Sequence, residues 1–189
     1  MSTLQGSWIW YELMTPDPAG AEAFYGKVIG WTMAGGDGGN PDYGFIHNGD
    51  GGMTGGVLRL SDEMRAHGAM PCWLGYIGVD NCDAMVKAIA EKGGRCLMPP
   101  RDIPMAGRIA MVADPDGAPF YVMTPRPAAG QTQVSTAFAP MTIGRCAWNE
   151  LLAGNQSQAL AFYSSLFGWS LPAPMDMGAM GTYQFIAHD

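Results

Sequence analysis

Glu12 lies in the run Trp8-Ile9-Trp10-Tyr11-Glu12-Leu13-Met14. Its alternation puts Trp8, Trp10, Glu12 and Met14 on one face of a strand and Ile9, Tyr11 and Leu13 on the other. A carboxylate on an otherwise apolar strand face is costly unless it is paired or used. Burial would raise its pKa and make it a general base. Equally, it could accept backbone N–H groups or pair with an arginine in a structural network. The glutamate recurs as Glu150 in a second stretch of the chain, which suits either role.

Other candidate chemistry is sparse. His47, His67 and His188 are scattered, and none stands at ligand spacing from another His or Glu. His67 falls in a polar segment and reads as surface. His47 ends a predicted strand beside a glycine turn, which permits a position on the rim of a site. No Ser-His-Asp arrangement emerges. The glycine clusters GGDGG and GDGGMTGG neither open a helix nor carry the Lys-Ser/Thr of a phosphate loop, so they read as hairpin and bulge glycines. Cys72, Cys82, Cys96 and Cys146 form no CxxC pair and match no zinc spacing, and read as reduced thiols in a cytoplasmic setting. Fifteen methionines suit an irregular cavity or ordinary core gaps equally well.

The elements that position these residues are organised by a repeat. WYELMTPDPAGAEAFYGKVIGWT, from Trp10, and WNELLAGNQSQALAFYSSLFGWS, from Trp148, align without a gap. Trp10/Trp148, Glu12/Glu150, Phe24/Phe162, Tyr25/Tyr163 and Trp31/Trp169 coincide. A period this long means two copies of a whole module. In the first copy a strand over 8–14 is followed by a helix from Pro18 to about Ile29. Asp17 is its N-cap, Ala21, Phe24, Tyr25 and Val28 form its apolar stripe, and Gly30 closes it. Strands over 31–34, 43–47 and 53–60 complete a βαβββ unit. A second unit repeats that order, with strands over 73–79, 95–98, 108–113 and 120–124 and a helix over 82–92 capped by Asp80 or Asn81. These units occupy residues 7–60 and 72–126. A Pro-, Ala- and Thr-rich linker follows at 127–141, and 142–189 begins a further module that stops before completion.

Bulk properties exclude several classes. The net charge of −7 argues against nucleic acid and anionic membrane as partners. The apolar content of 48% fits a folded chain. No apolar run reaches a membrane-spanning length, and the N-terminus lacks the pattern of a signal peptide.

The order βαβββ-βαβββ, with FYGKVIGW, LGYIGVDNCDAMVKAIAEKGG and RIAMVADPDGAPFYV in register, resembles the glyoxalase/bleomycin resistance protein/dioxygenase family, the vicinal oxygen chelate superfamily. The resemblance implies an α+β fold. Paired βαβββ units would form a curved eight-stranded half-barrel with helices outside, and an incomplete third unit would follow. Its concave face would be a cup for a small molecule.

Many members hold a divalent metal in that cup, on ligands from the first strand of each unit and the last strand of the second. The resemblance carries those positions onto Trp10, Leu74 and Tyr121, with Glu12 two residues beyond the first. None of the three is a metal ligand, and one carboxylate makes a poor site. The expectation is therefore no metal cofactor in the first module, a divalent ion being disfavoured. Trp10, Met14, Leu74, Tyr76, Tyr121 and Met123 would line the cup, with His47 at its rim. Arg108, following a loop over 102–107, reads either as a surface arginine or as a residue that gates the site or contacts an anionic ligand. The leading expectation is a binder of an apolar or aromatic molecule. The alternative is a lyase, isomerase or dioxygenase-type enzyme using Glu12 or a metal. Trp148, Phe162, Phe167, Trp169 and Phe185 need burial. The partial module should therefore pack on the first one or on a second copy, giving a homodimer.

Overall fold

The computed structural model describes residues 4–35, 40–126 and 135–188. Eight strands form one mixed sheet: β1 (Trp8–Thr15), β2 (Thr32–Gly35), β3 (Tyr43–His47), β4 (Met53–Arg59), β5 (Cys72–Gly78), β6 (Arg95–Ile103), β7 (Gly107–Ala113) and β8 (Pro119–Pro125). Their order is β2-β3-β4-β1-β5-β8-β7-β6. β1 and β5 pair antiparallel at the centre, and each pairs in parallel with the last strand of its own unit, β4 or β8. The two halves therefore mirror each other about the β1–β5 seam, as paired βαβββ units require. The fold is the α+β arrangement expected from the sequence.

Helix starts follow local chemistry. Asp17 caps α1 (Pro18–Val28) by accepting from Gly20 N at 2.9 Å, and proline occupies its first turn. Asn81 caps α3 (Cys82–Glu91) by accepting from Ala84 N. Between them is a short helix absent from the sequence reading, α2 (Asp62–Ala66), capped by Ser61 through Met64 N.

Two differences matter for the site. A bulge between Trp8 and Trp10 turns Trp8 to the outer face, where it stacks near Trp169 rather than sharing the face of Trp10 and Glu12. β6 runs on through Pro99-Pro100 to Ile103, past the expected end at Met98, because an edge strand tolerates proline at a register shift.

The sheet carries apolar packing on both faces. Outside, Ile77, Val79, Ala110, Val112, Phe120 and Val122 pack against α3 and α4 (Gln156–Phe167). Inside lies the cluster of Met14, Leu74, Tyr76, Ile109 and Tyr121, with Leu60 and residues of α2 closing one end.

The second copy of the repeat departs from expectation. Its helix forms as α4, capped by Asn155 and ended by Gly168 at φ +72°. Its first strand does not form. Residues 148–152 take part in no strand ladder. The strand expected near Tyr183 shrinks to β10 (Thr182–Tyr183), paired with β9 (Met175–Asp176), and a single bridge joins Ser170 to Ala187. Part of the expected linker, 127–134, lies outside the described residues, as do residues 36–39 of the first glycine cluster. Within 135–141, Phe138 bridges to Cys146.

Candidate functional site

Register builds the site row by row. Trp10 faces Tyr76 across the β1–β5 seam, Tyr76 is level with Tyr121 in β8, Tyr121 with Met111 in β7, and Met111 with Met98 in β6. The next row runs from Phe45 through Gly56 and Glu12 to Leu74. Opposed residues of neighbouring strands share a face, so the concave surface is aromatic and thioether-rich around one carboxylate.

Glu12 is 3% exposed. Its Oε2 accepts from the Tyr76 hydroxyl at 2.8 Å, while Oε1 has no hydrogen-bond partner. Desolvation raises its pKa. The Tyr76 hydrogen bond, the nearby Tyr121 and Tyr43 hydroxyls and the positive charge of Arg101 only partly offset that rise. Tyr76 and Tyr121 stack with centroids 4.2 Å apart. Burial raises the pKa of both phenols and of Tyr43, with the Glu12 charge adding to it, so all three are neutral donors at physiological pH. Tyr43 accepts from Trp10 Nε1 at 3.0 Å. Its hydroxyl occupies the space above Gly56, where any side chain would collide with it. The missing side chain at Gly56 thus lets a third phenol come up beside the carboxyl.

The structure gathers Trp10, Glu12, Met14, Leu74, Tyr76, Tyr121 and Met123 on this face. It does not bring Arg108 there. The Arg108 side chain alternates to the outer face, where it is tied to Asp83 of α3 and to Asp102. His47 ends β3 level with Met53, two strands from β1, and is half-buried. Tyr43, Phe45 and Arg101 belong to the cup surroundings but escape the sequence reading. Placing them requires the β3–β4 and β6–β7 registers, which a single strand's alternation does not contain. Cys72 also faces this way and burial raises its thiol pKa, so it is no ready thiolate.

A divalent metal is the group the fold family implies. Among the described residues no cluster of three or more His, Cys, Asp or Glu side chains gathers anywhere. The cup sets one glutamate among neutral phenols and apolar groups. Those donors do not fit a divalent ion, which takes several anionic or imidazole ligands.

A cleft of about 1200 Å³ lies elsewhere. It opens on the outer face, between Trp8, Tyr11 and Trp73 on the sheet side and Trp148, Asn149 and Phe185 of the later segment. Tyr11 accepts from Asn149 Nδ2 across it at 2.8 Å. One wall is the unpaired stretch 148–152, so the cleft lacks the strand-held geometry that positions the cup residues. The cup is the better candidate for chemistry that needs preorganisation.

Comparison with known proteins agrees with this architecture. The model of the Glyoxalase/Bleomycin resistance protein/Dioxygenase superfamily matches residues 9–122. CFP32 of Mycobacterium bovis, provisionally named a glyoxylase, is 32% identical over 192 residues, covering 96% of this chain and 67% of that protein. The anthracycline biosynthesis protein DnrV of Streptomyces peucetius is 29% identical over 197 residues, covering 97% of this chain and 67% of its own length. Among solved structures, the Mn(II)-bound glyoxalase from Novosphingobium aromaticivorans superposes with a TM-score of 0.53 at 14% identity, over 88% of this chain and 54% of that one. At that identity the likeness speaks for the fold alone. With its paired βαβββ halves in register and its family model spanning them, the chain belongs to the glyoxalase/bleomycin resistance protein/dioxygenase superfamily.

Proposed function

We propose that the cup binds a small apolar or aromatic molecule without a metal, with Glu12 as its polar pole. The observation that carries this reading is the Glu12 carboxyl. It is buried among aromatic side chains, held through Oε2 by Tyr76, and left with Oε1 unpartnered. A buried polar atom without a partner costs roughly 1–3 kcal/mol. A ligand donor that meets it recovers that cost. Trp10, Phe45 and the Tyr76–Tyr121 stack offer flat apolar surfaces for the rest of the molecule. The naming of one relative for anthracycline biosynthesis supports a search among small-molecule ligands.

The same unpartnered oxygen favours a second reading, a metal-independent lyase or isomerase. Once ionised, Oε1 is free to take a proton from a carbon acid held against it, and the raised pKa brings that basicity towards neutral pH. Elemental analysis with ligand titration separates these readings from the metal-dependent chemistry of relatives. The expected result is under about 0.1 equivalent of divalent ion per chain and binding indifferent to chelator. A stoichiometric ion whose removal abolishes binding refutes the metal-free cup. Retained binding but lost turnover in Glu12→Gln selects the enzyme, whereas the binder shows no turnover in either form.

The proposal extends to setting and assembly. Four free thiols support a reducing, cytoplasmic location, and no helix among the described residues is long and apolar enough to cross a membrane. The net charge of −7 speaks against nucleic acid as a partner. Exposed Phe24, Val28, Ile143, Trp148 and Leu152 support a homodimer. Light scattering at micromolar concentration should give twice the chain mass of 20.1 kDa, and a monomer would refute it.

A further inference from the structure

We propose that the cup's ligand is an anion, a flat molecule bearing a carboxylate or comparable acidic oxygen, and that Arg101 at the mouth of the cup recognises it. This names the ligand class for the site proposed above and rests on that reading.

The placement of Arg101 follows from register. In β6 and β7, Met98 opposes Met111, Arg101 opposes Ile109 and Ile103 opposes Gly107, with a shift at Pro99-Pro100. Ile109 and Tyr121 belong to the buried cup cluster, and Met98, Ile103, Met111 and Met123 pack against it. Directly opposed residues share a face, so Arg101 stands on the cup side of an edge strand. Its side chain is solvent-exposed, as a group at the mouth would be. The shift at Pro99-Pro100 is what sets it there.

Its charge is unspent. Six of the other nine lysines and arginines are engaged: Arg59 with Asp42, Arg65 with Asp62, Lys87 with Glu91, Arg108 with Asp83 and Asp102, Arg126 with Asp102, and Arg145 with Asp50. The Arg101 side chain forms no ion pair or hydrogen bond with the described residues. It is nonetheless close enough to Glu12 for its field to act on that carboxyl. In a chain of net charge −7, a bare guanidinium facing an aromatic cup is a local inversion of sign. The fork of a guanidinium matches two oxygens of a planar acid. Beyond it the three phenols supply donors and the rings supply faces, so an acidic head at Arg101 lets an aromatic body lie along Tyr121 and Tyr76 towards Glu12. Arg108, the arginine that sequence alone suggests for this role, has its charge satisfied on the opposite face.

The test uses 2-naphthoate and its neutral isostere 2-naphthamide, titrated calorimetrically into the full chain, into Arg101→Gln and into Arg108→Gln. Arg101 is exposed, so its replacement leaves the fold intact. The expected result is that wild type and Arg108→Gln prefer the acid by about tenfold or more, and that Arg101→Gln loses the preference while keeping its affinity for the amide. Equal binding of acid and amide by wild type, or a preference that survives in Arg101→Gln, overturns the anion inference and leaves the cup as a binding site. Failure of both compounds to bind at millimolar concentration overturns the binding site itself.

Discussion

Glutamine in place of Glu12 keeps an acceptor for the Tyr76 hydroxyl but cannot take a charge. A carboxyl whose folded pKa lies above its unfolded value stabilises fully below the ordinary carboxyl range. That contribution is lost as pH rises towards the folded value. The groups facing it are Tyr43, Tyr76, Tyr121, Cys72 and Arg101, and desolvation outweighs their help. The melting temperature of Glu12→Gln should therefore match or fall below wild type near pH 5 and exceed it by about 2–4 °C near pH 8. Asp50 and Asp83, whose pKa values are lowered, act in the opposite direction, but they are common to both proteins and cancel in the difference. A difference independent of pH would mean that Glu12 carries its charge without penalty. At this scale the alternation of β1 placed Trp10, Glu12 and Met14 on one face, and the family comparison supplied Leu74 and Tyr121. It could not supply Tyr43, whose hydroxyl fits over β4 only because Gly56 has no side chain, nor Arg101, which lies past a Pro-Pro pair that reads as the end of a strand.

The helices α1 and α4 have nearly the same pattern and opposite fates. Phe24 and Val28 of α1 are 59% and 64% exposed, whereas their repeats Phe162 and Leu166 in α4 are 4% and 9% exposed. What differs is the surface each meets. No residue of α1 is buried: Tyr25 packs against Trp31 and Trp73, and Glu22 accepts from Met33 N of β2. α4 lies over Ile77, Ile89, Val112, Phe120 and Val122, with the Tyr163 hydroxyl donating to buried Asp114 at 3.1 Å. Truncating Phe162 to alanine should thus cost about 3–4 kcal/mol in urea unfolding, and truncating Phe24 under about 1 kcal/mol. Comparable losses would show that α1 is covered in solution. An apolar stripe tells which side of a helix wants burial, not whether a neighbour arrives to bury it, which is why sequence could not separate the two. The same limit explains Trp8. A one-residue bulge reverses its face, and alternation alone has no means of announcing a bulge.

For the whole molecule the consequence is that the segment after residue 135 is not an appendage. The turn Asp114–Gly117 between β7 and β8 is also the dock for α4. Asp116 Oδ2 accepts from Asn155 N, at the start of the helix, and Asp114 Oδ2 from Tyr163 midway along it. Trp169 Nε1 then donates to Gly6 O, fastening the chain just after α4 to the turn before β1. Elements that share a core this way unfold together, whereas an extended stretch without ladder bonds opens locally. Native-state hydrogen exchange should accordingly find the amides of α4 as slow as those of α3, both responding to denaturant with the slope of global unfolding. The amides of 148–152 should exchange faster by about three orders of magnitude or more, through opening that denaturant hardly affects. Were α4 to open with a smaller slope than α3, the outer core would consist of α3 and the sheet alone. The burial of Phe162, Tyr163 and Phe167 would then be a docking equilibrium rather than part of the fold.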